Sequence, residues 1–119
     1  MEVDEFTERL ARVRQRFVSS LHGKVDDSYM ALTKLSEKDA SAIETLVVTH
    51  RKLHEMCGIA PSIGFPATGI AARAAEAVLR EPAKSRRPLT TKEVAILAEA
   101  LDRLRAVTQS ELQPNNVQG

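Results

Sequence analysis

Two of the chain's three histidines, His50 and His54, stand one helical turn apart. On a wheel at about 100° per residue, the segment from Ala42 to Ile63 centres its apolar stripe near Leu53, Met56 and Ala60. His54 falls about 120° from that centre, on a flank open to solvent. Its neighbours three and four residues away are His50, Arg51 and Gly58. A neutral imidazole in such a place offers a lone pair for attack on an electrophile such as a phosphoryl group. Gly58 sharpens the reading. A glycine inside a helix costs about 1 kcal/mol relative to alanine, so its presence asks for a reason. One turn beyond His54, its missing side chain leaves the ring uncovered. Arg51, one turn before, can set a guanidinium beside a phosphoryl group.

The competing chemistries are weaker. His50 and His54 have the spacing to hold a metal on one helix face, but only Glu55 lies near them, so no metal site is expected. Cys57 points toward the core side and reads as a packed thiol. His22 has no supporting context and is expected in solvent. No glycine-rich phosphate loop is present, so phosphorylation from ATP is not expected.

The elements that must position His54 are helical. Val3, Phe6, Leu10, Val13, Phe17, Leu21, Val25, Tyr29, Leu32 and Leu35 recur in steps of three and four and describe one stripe, interrupted off its line by Gly23. This is one long helix or two in line. A turn over Ser36 to Ala40 follows, and Ser41 with Glu44 has capping-box spacing for the next helix. That helix is expected to bury Ala42, Leu46, Thr49, Leu53, Met56, Ala60 and Ile63, with Pro61 kinking or ending it and Gly64 as a stop. Pro66 suits the first turn of a third helix, whose stripe is read as Ile70, Ala74, Ala77 and Val78, ending at Arg80 and Glu81. Pro82 to Leu89 reads as a solvated basic loop with Lys84, Arg86 and Arg87. Thr90 with Glu93 repeats the capping-box signal for a last helix burying Val94, Leu97, Leu101, Leu104 and Thr108. The fold expected is all-α: an antiparallel, up-and-down four-helix bundle over residues 1–111, with a disordered tail over 112–119.

Composition excludes several partners. The 119 residues carry 17 Lys and Arg against 16 Asp and Glu, a net charge of +1, and aromatic residues are 3% with no Trp. Neither a phosphate-backbone surface nor a base-stacking platform is expected, so nucleic acid is not expected as a partner. Apolar runs fall far short of the roughly 20 residues that cross a bilayer, and the acidic start Met1-Glu2-Val3-Asp4-Glu5 is unlike a secretory signal. The single Cys fits a reducing compartment. A cytoplasmic monomer without membrane contact is expected.

The run His54-Glu55-Met56-Cys57-Gly58-Ile59-Ala60-Pro61-Ser62-Ile63-Gly64-Phe65 resembles the signature of histidine phosphotransfer (Hpt) domains. The resemblance extends more loosely over about residues 4 to 108 as helix order and spacing. It implies a four-helix bundle with a shorter leading helical segment, and a relay from phosphoaspartate to histidine to aspartate. His54 would be the phosphoacceptor through Nε2, Gly58 the access position, and Gly64-Phe65 the turn into the next helix. The implied partners are response-regulator receiver domains and a hybrid histidine kinase. The chain would need no cofactor of its own, because the Mg²⁺ belongs to the receiver. Val47, Glu55 and Ile59 are the candidate docking contacts. Members often carry a basic residue one or three places after the histidine, where this chain has Glu55 and Cys57; Arg51, or after it Lys52, is read as the substitute. These departures and Pro61 leave a second reading, a degenerate bundle of the same fold that only binds proteins. A buried, fully hydrogen-bonded His54 would favour it.

Overall fold

The computed structural model describes residues 4–112. Val3 and the expected tail beyond Leu112 lie outside the described residues. Four helices follow one another: α1 (Glu5–Ala31), α2 (Ala40–Ser62), α3 (Pro66–Ser85) and α4 (Thr91–Leu112), with a single 3-10 turn at Lys34–Ser36 between the first two. They pack as an antiparallel four-helix bundle. Asp26 of α1 pairs with Arg105 of α4, and Thr68 near the start of α3 bonds Thr108 near the end of α4. Among the described residues no helix is long and apolar enough to cross a membrane.

From Phe6 to Tyr29 the first stripe lies on one helix, with Gly23 exposed in its interior, while Leu35 falls in the 3-10 turn. The leading segment is therefore continuous with α1 rather than a separate piece. Asp4 caps it by accepting from the Phe6 amide at 3.0 Å. Only the second half of the stripe reaches the core. Leu21 and Val25 are buried and Phe17 is half-buried, whereas Phe6 is 65% exposed and Leu10 and Val13 are exposed too. A one-sided apolar pattern records which face is apolar, not whether a neighbour arrives to cover it.

α2 begins one residue before Ser41, and its cap is Asp39, whose carboxylate accepts from the Ala42 amide at 2.8 Å. Asp39 takes the capping role that the Ser41–Glu44 spacing had suggested, and Glu44 instead pairs with Arg86. The helix buries Ala42, Leu46, Thr49, Leu53, Met56 and Ala60 as expected, with Ile63 half-buried just past its end. Pro61 sits in the last turn, where it has no N–H to donate to the Cys57 carbonyl, and α2 stops one residue later. Gly64 then takes φ +93°, left-handed backbone that suits glycine, and Phe65 folds under to be fully buried beside Phe17, Val18 and Ala60.

α3 departs most from its reading. Ile70 is 73% exposed, Ala74 and Ala77 are exposed, and the buried line is Thr68, Ala72, Ala75, Leu79 and Pro82, joined by Ala71 and Glu76. The helix is alanine-rich on every side, so one isoleucine dominated a pattern with little contrast. It also runs through Arg80 and Glu81 to Ser85, carrying Pro82 in its interior, and closes on Arg86 in the left-handed region at φ 51°. The basic loop shrinks accordingly, and it is tied down rather than loose. Arg87 bonds Glu81 and both oxygens of Glu93, while the Leu89 amide donates to the Leu35 carbonyl at 2.8 Å.

The capping box at the start of α4 forms reciprocally: Thr90 N–H donates to Glu93 at 2.9 Å and Glu93 N–H to Thr90 Oγ1 at 3.1 Å. Leu97, Leu101, Leu104 and Thr108 are buried as expected. At the far end Glu111 holds the start of α3, its two carboxylate oxygens accepting from the Ala67 and Thr68 amides at 2.8 and 2.7 Å. A carboxylate here satisfies orphan amides and faces the positive end of the helix dipole.

Candidate functional site

The long contact between α2 and α3 carries the site. α2 presents His50, Arg51, His54 and Gly58, and α3 answers with Glu76 and Arg80. The His54 side chain is 71% exposed, and its Nδ1 lies 3.7 Å from Oε2 of Glu76. Nδ1 is the ring nitrogen that faces the carboxylate, and Nε2, across one ring carbon from it, points in a different direction. One turn further on, a Cβ placed on Gly58 would meet nothing within 4 Å. The space beyond His54 along the helix is open.

Glu76 is the residue that sequence reasoning missed. Its side chain is only 5% exposed, among the alanines of α3. Burial of a carboxylate raises its pKa unless partners favour the charged form. Here they do: the Arg80 guanidinium grips both oxygens, Nη2 to Oε1 at 2.7 Å and Nε to Oε2 at 3.3 Å, and His50 Nε2 lies 2.7 Å from Oε2. The Arg80 hydrogen bond foremost, and then His50, hold the carboxyl down at about 2 against burial. Glu76 is thus an anion, which accepts hydrogen bonds and donates none, so the proton between it and His50 resides on Nε2 of His50. One signal was available in the sequence: an acidic residue in an otherwise small and apolar stretch, Ala-Ala-Glu-Ala-Val, with arginine four residues on.

The remaining candidates are placed as follows. Arg51 is exposed, one turn before His54. Lys52 lines a shallow groove between α1 and α2 with Asp27 and Glu44, on the side of α2 turned from His54, so the structure does not bring those two together. Glu55 is exposed beside His54, Ile59 is exposed one turn on, and Val47 is half-buried. Ile70, read from sequence as core, adds an exposed aliphatic group on the first turns of α3. Cys57 is buried, its Sγ donating to the Leu53 carbonyl at 3.3 Å, and burial first of all pushes its thiol pKa up. That is the packed thiol expected. His22 is half-buried beside Val18 and Leu112 rather than fully in solvent. Among the described residues no group of three or more His, Cys, Asp or Glu side chains is arranged to hold a metal ion.

The arrangement can present one unencumbered imidazole nitrogen to a visiting electrophile, with a fixed negative charge behind the ring. Compared with protein-family models, with curated proteins and with solved structures, the chain matched none.

Proposed function

We propose that this protein is a phosphoryl carrier of a phosphorelay, accepting the group on His54 from a receiver-domain aspartate and passing it to another receiver. The observation that carries the reading is the exposed His54 ring, backed at Nδ1 by the buried Glu76 carboxylate and flanked by open space at Gly58. A buried, fully bonded ring would have favoured a module that only binds.

In the proposed step the Nε2 lone pair attacks phosphorus in line. The bond between phosphorus and the aspartate oxygen breaks, its electrons remaining on the leaving carboxylate, and an N–P bond forms. The ring keeps its Nδ1 proton and gains positive charge, which Glu76 offsets from 3.7 Å. Arg51 supports the phosphoryl oxygens. The Mg²⁺ that neutralises charge on the phosphoryl group belongs to the receiver, and docking uses Glu55, Ile59 and Val47 on the face around His54. Such a carrier works in the cytoplasm, as a monomer, between a hybrid histidine kinase and its response regulators.

Incubation with a phosphorylated receiver domain tests this. The expected product is an acid-labile, base-stable phosphoprotein, lost in His54→Gln and retained in His50→Gln. Label persisting in His54→Gln would falsify the assignment, and receiver binding without any transfer would favour the binding module.

A further inference from the structure

An ionised carboxylate offers about four lone-pair sites, two on each oxygen. On Glu76, Oε1 accepts from Arg80 Nη2 at 2.7 Å. Both sites of Oε2 are taken, one by Arg80 Nε at 3.3 Å and one by His50 Nε2 at 2.7 Å. His54 Nδ1 approaches the same Oε2 but stops at 3.7 Å, beyond hydrogen-bonding distance. His50 is the better-placed rival, with 24% of its side chain exposed against 71% for His54. A drier hydrogen bond is electrostatically stronger, and His54 can satisfy itself with water instead.

We propose that His50 is a positioning residue that competes with His54 for Oε2 of Glu76 and thereby sets the tautomer His54 presents to solvent. An acceptor at Nδ1 draws the ring proton there and leaves Nε2 with its lone pair; without one, the proton also populates Nε2 and blocks attack. While His50 fills the second site, Glu76 acts on His54 only through space. Removing the His50 donor frees that site. The Arg80 fork still fixes the carboxylate, and the exposed His54 ring closes the gap to form the hydrogen bond. His50 therefore restrains the neighbour it stacks with, their ring centroids 6.2 Å apart at an interplanar angle of 26°. The consequence for phosphoryl transfer rests on the carrier reading above; the competition itself does not.

The test is the ¹⁵N spectrum of the imidazoles at mildly alkaline pH. In the wild-type protein a hydrogen-bonded ring proton is expected on Nε2 of His50 and none on His54; such a proton on Nδ1 of His54 overturns the proposal. In His50→Phe, which keeps a ring but no donor, His54 Nδ1 should shift toward the protonated position and Nε2 toward the unprotonated one. The shift should vanish in His50→Phe/Glu76→Gln, and His50→Gln, which restores a donor, should return His54 toward wild type. Unmoved His54 resonances in a folded His50→Phe protein also overturn it, and the wild-type measurement decides if that variant does not fold. Wild-type protein that accepts phosphate while His54 stays unmoved in the variant sinks this inference alone. Shifted resonances without any phosphoryl acceptance sink only the carrier reading.

Discussion

Pro61 and Gly69 touch across the α2–α3 interface so closely that a Cβ on Gly69 would lie 2.8 Å from Cγ of Pro61 and 2.9 Å from its Cδ. A pyrrolidine ring cannot swing aside as a flexible side chain can. Gly69→Ala is therefore expected to destabilise the protein by about 1–2 kcal/mol, overpacking outweighing the gain in helix propensity. Urea denaturation measures it. Pro61→Ala in the same chain should recover most of the loss, and strictly additive effects would show that the contact is not the cause.

The two carboxylates held at about 2, Glu76 and Glu93, predict how stability follows pH. Each has a folded pKa below its ordinary 4.5, Glu76 chiefly through Arg80 and Glu93 chiefly through Arg87. A depressed folded pKa gives stability that is fully present above 4.5 and is lost as pH falls from there toward 2. Each contributes about 1–3 kcal/mol at neutral pH, allowing for the exposure of the arginines. Denaturant midpoints should fall steeply across that window, and Glu76→Gln should flatten the slope. An unchanged slope in that variant would rule out Glu76 as a source.

Glu111 satisfies two amides at the start of α3 from the last turn of α4. Glu111→Ala should cost about 1–2 kcal/mol, the range of a lost helix cap, and the loss should appear in thermal melts. A variant as stable as wild type would mean that water replaces the carboxylate at no cost.

Because a Cβ on Gly58 meets nothing, Gly58→Ala should raise stability by up to about 1 kcal/mol. A bulky Gly58→Phe should fold equally well yet slow phosphoryl acceptance from a receiver domain by about tenfold, equivalent to roughly 1.4 kcal/mol of barrier. Labelling of His54 by a small donor such as phosphoramidate should be nearly unaffected. Equal slowing with both donors would show that the space at Gly58 does not serve a docked protein.

Much of this was legible in the residues. The four-three alternation from Ala42 to Ala60 located the buried face of α2, and with it the exposed flank of His54, because core and surface differ sharply along that helix. The Thr90–Glu93 box was equally plain, being local chemistry within four residues. Legibility failed where information is not local. Ile70 misdirected the reading of α3 because its neighbours are alanines, which pack inside or outside with little difference in free energy. Asp39 displaced Ser41 as a cap because several acceptors precede α2 and backbone geometry chooses among them. Glu76 was missed because its meeting with His50 and His54 depends on the register of two antiparallel helices, and no periodicity within either one specifies that register.

Every described residue of α1 before Arg14 is exposed, whereas Arg14 itself lies over the Phe65 ring at 4.9 Å. The backbone of α1 is continuous, but its resistance to opening is not. Amide hydrogens ahead of Arg14 are guarded only by their own helical turn and should exchange with solvent deuterium by local fraying. Those between Val18 and Ser28, where α1 is buried, should exchange only when the bundle itself comes apart. Arg14 and Phe17 on the Phe65 ring, with Val18 buried beside them, thus divide one helix into a part that answers to its own propensity and a part that answers to the whole molecule.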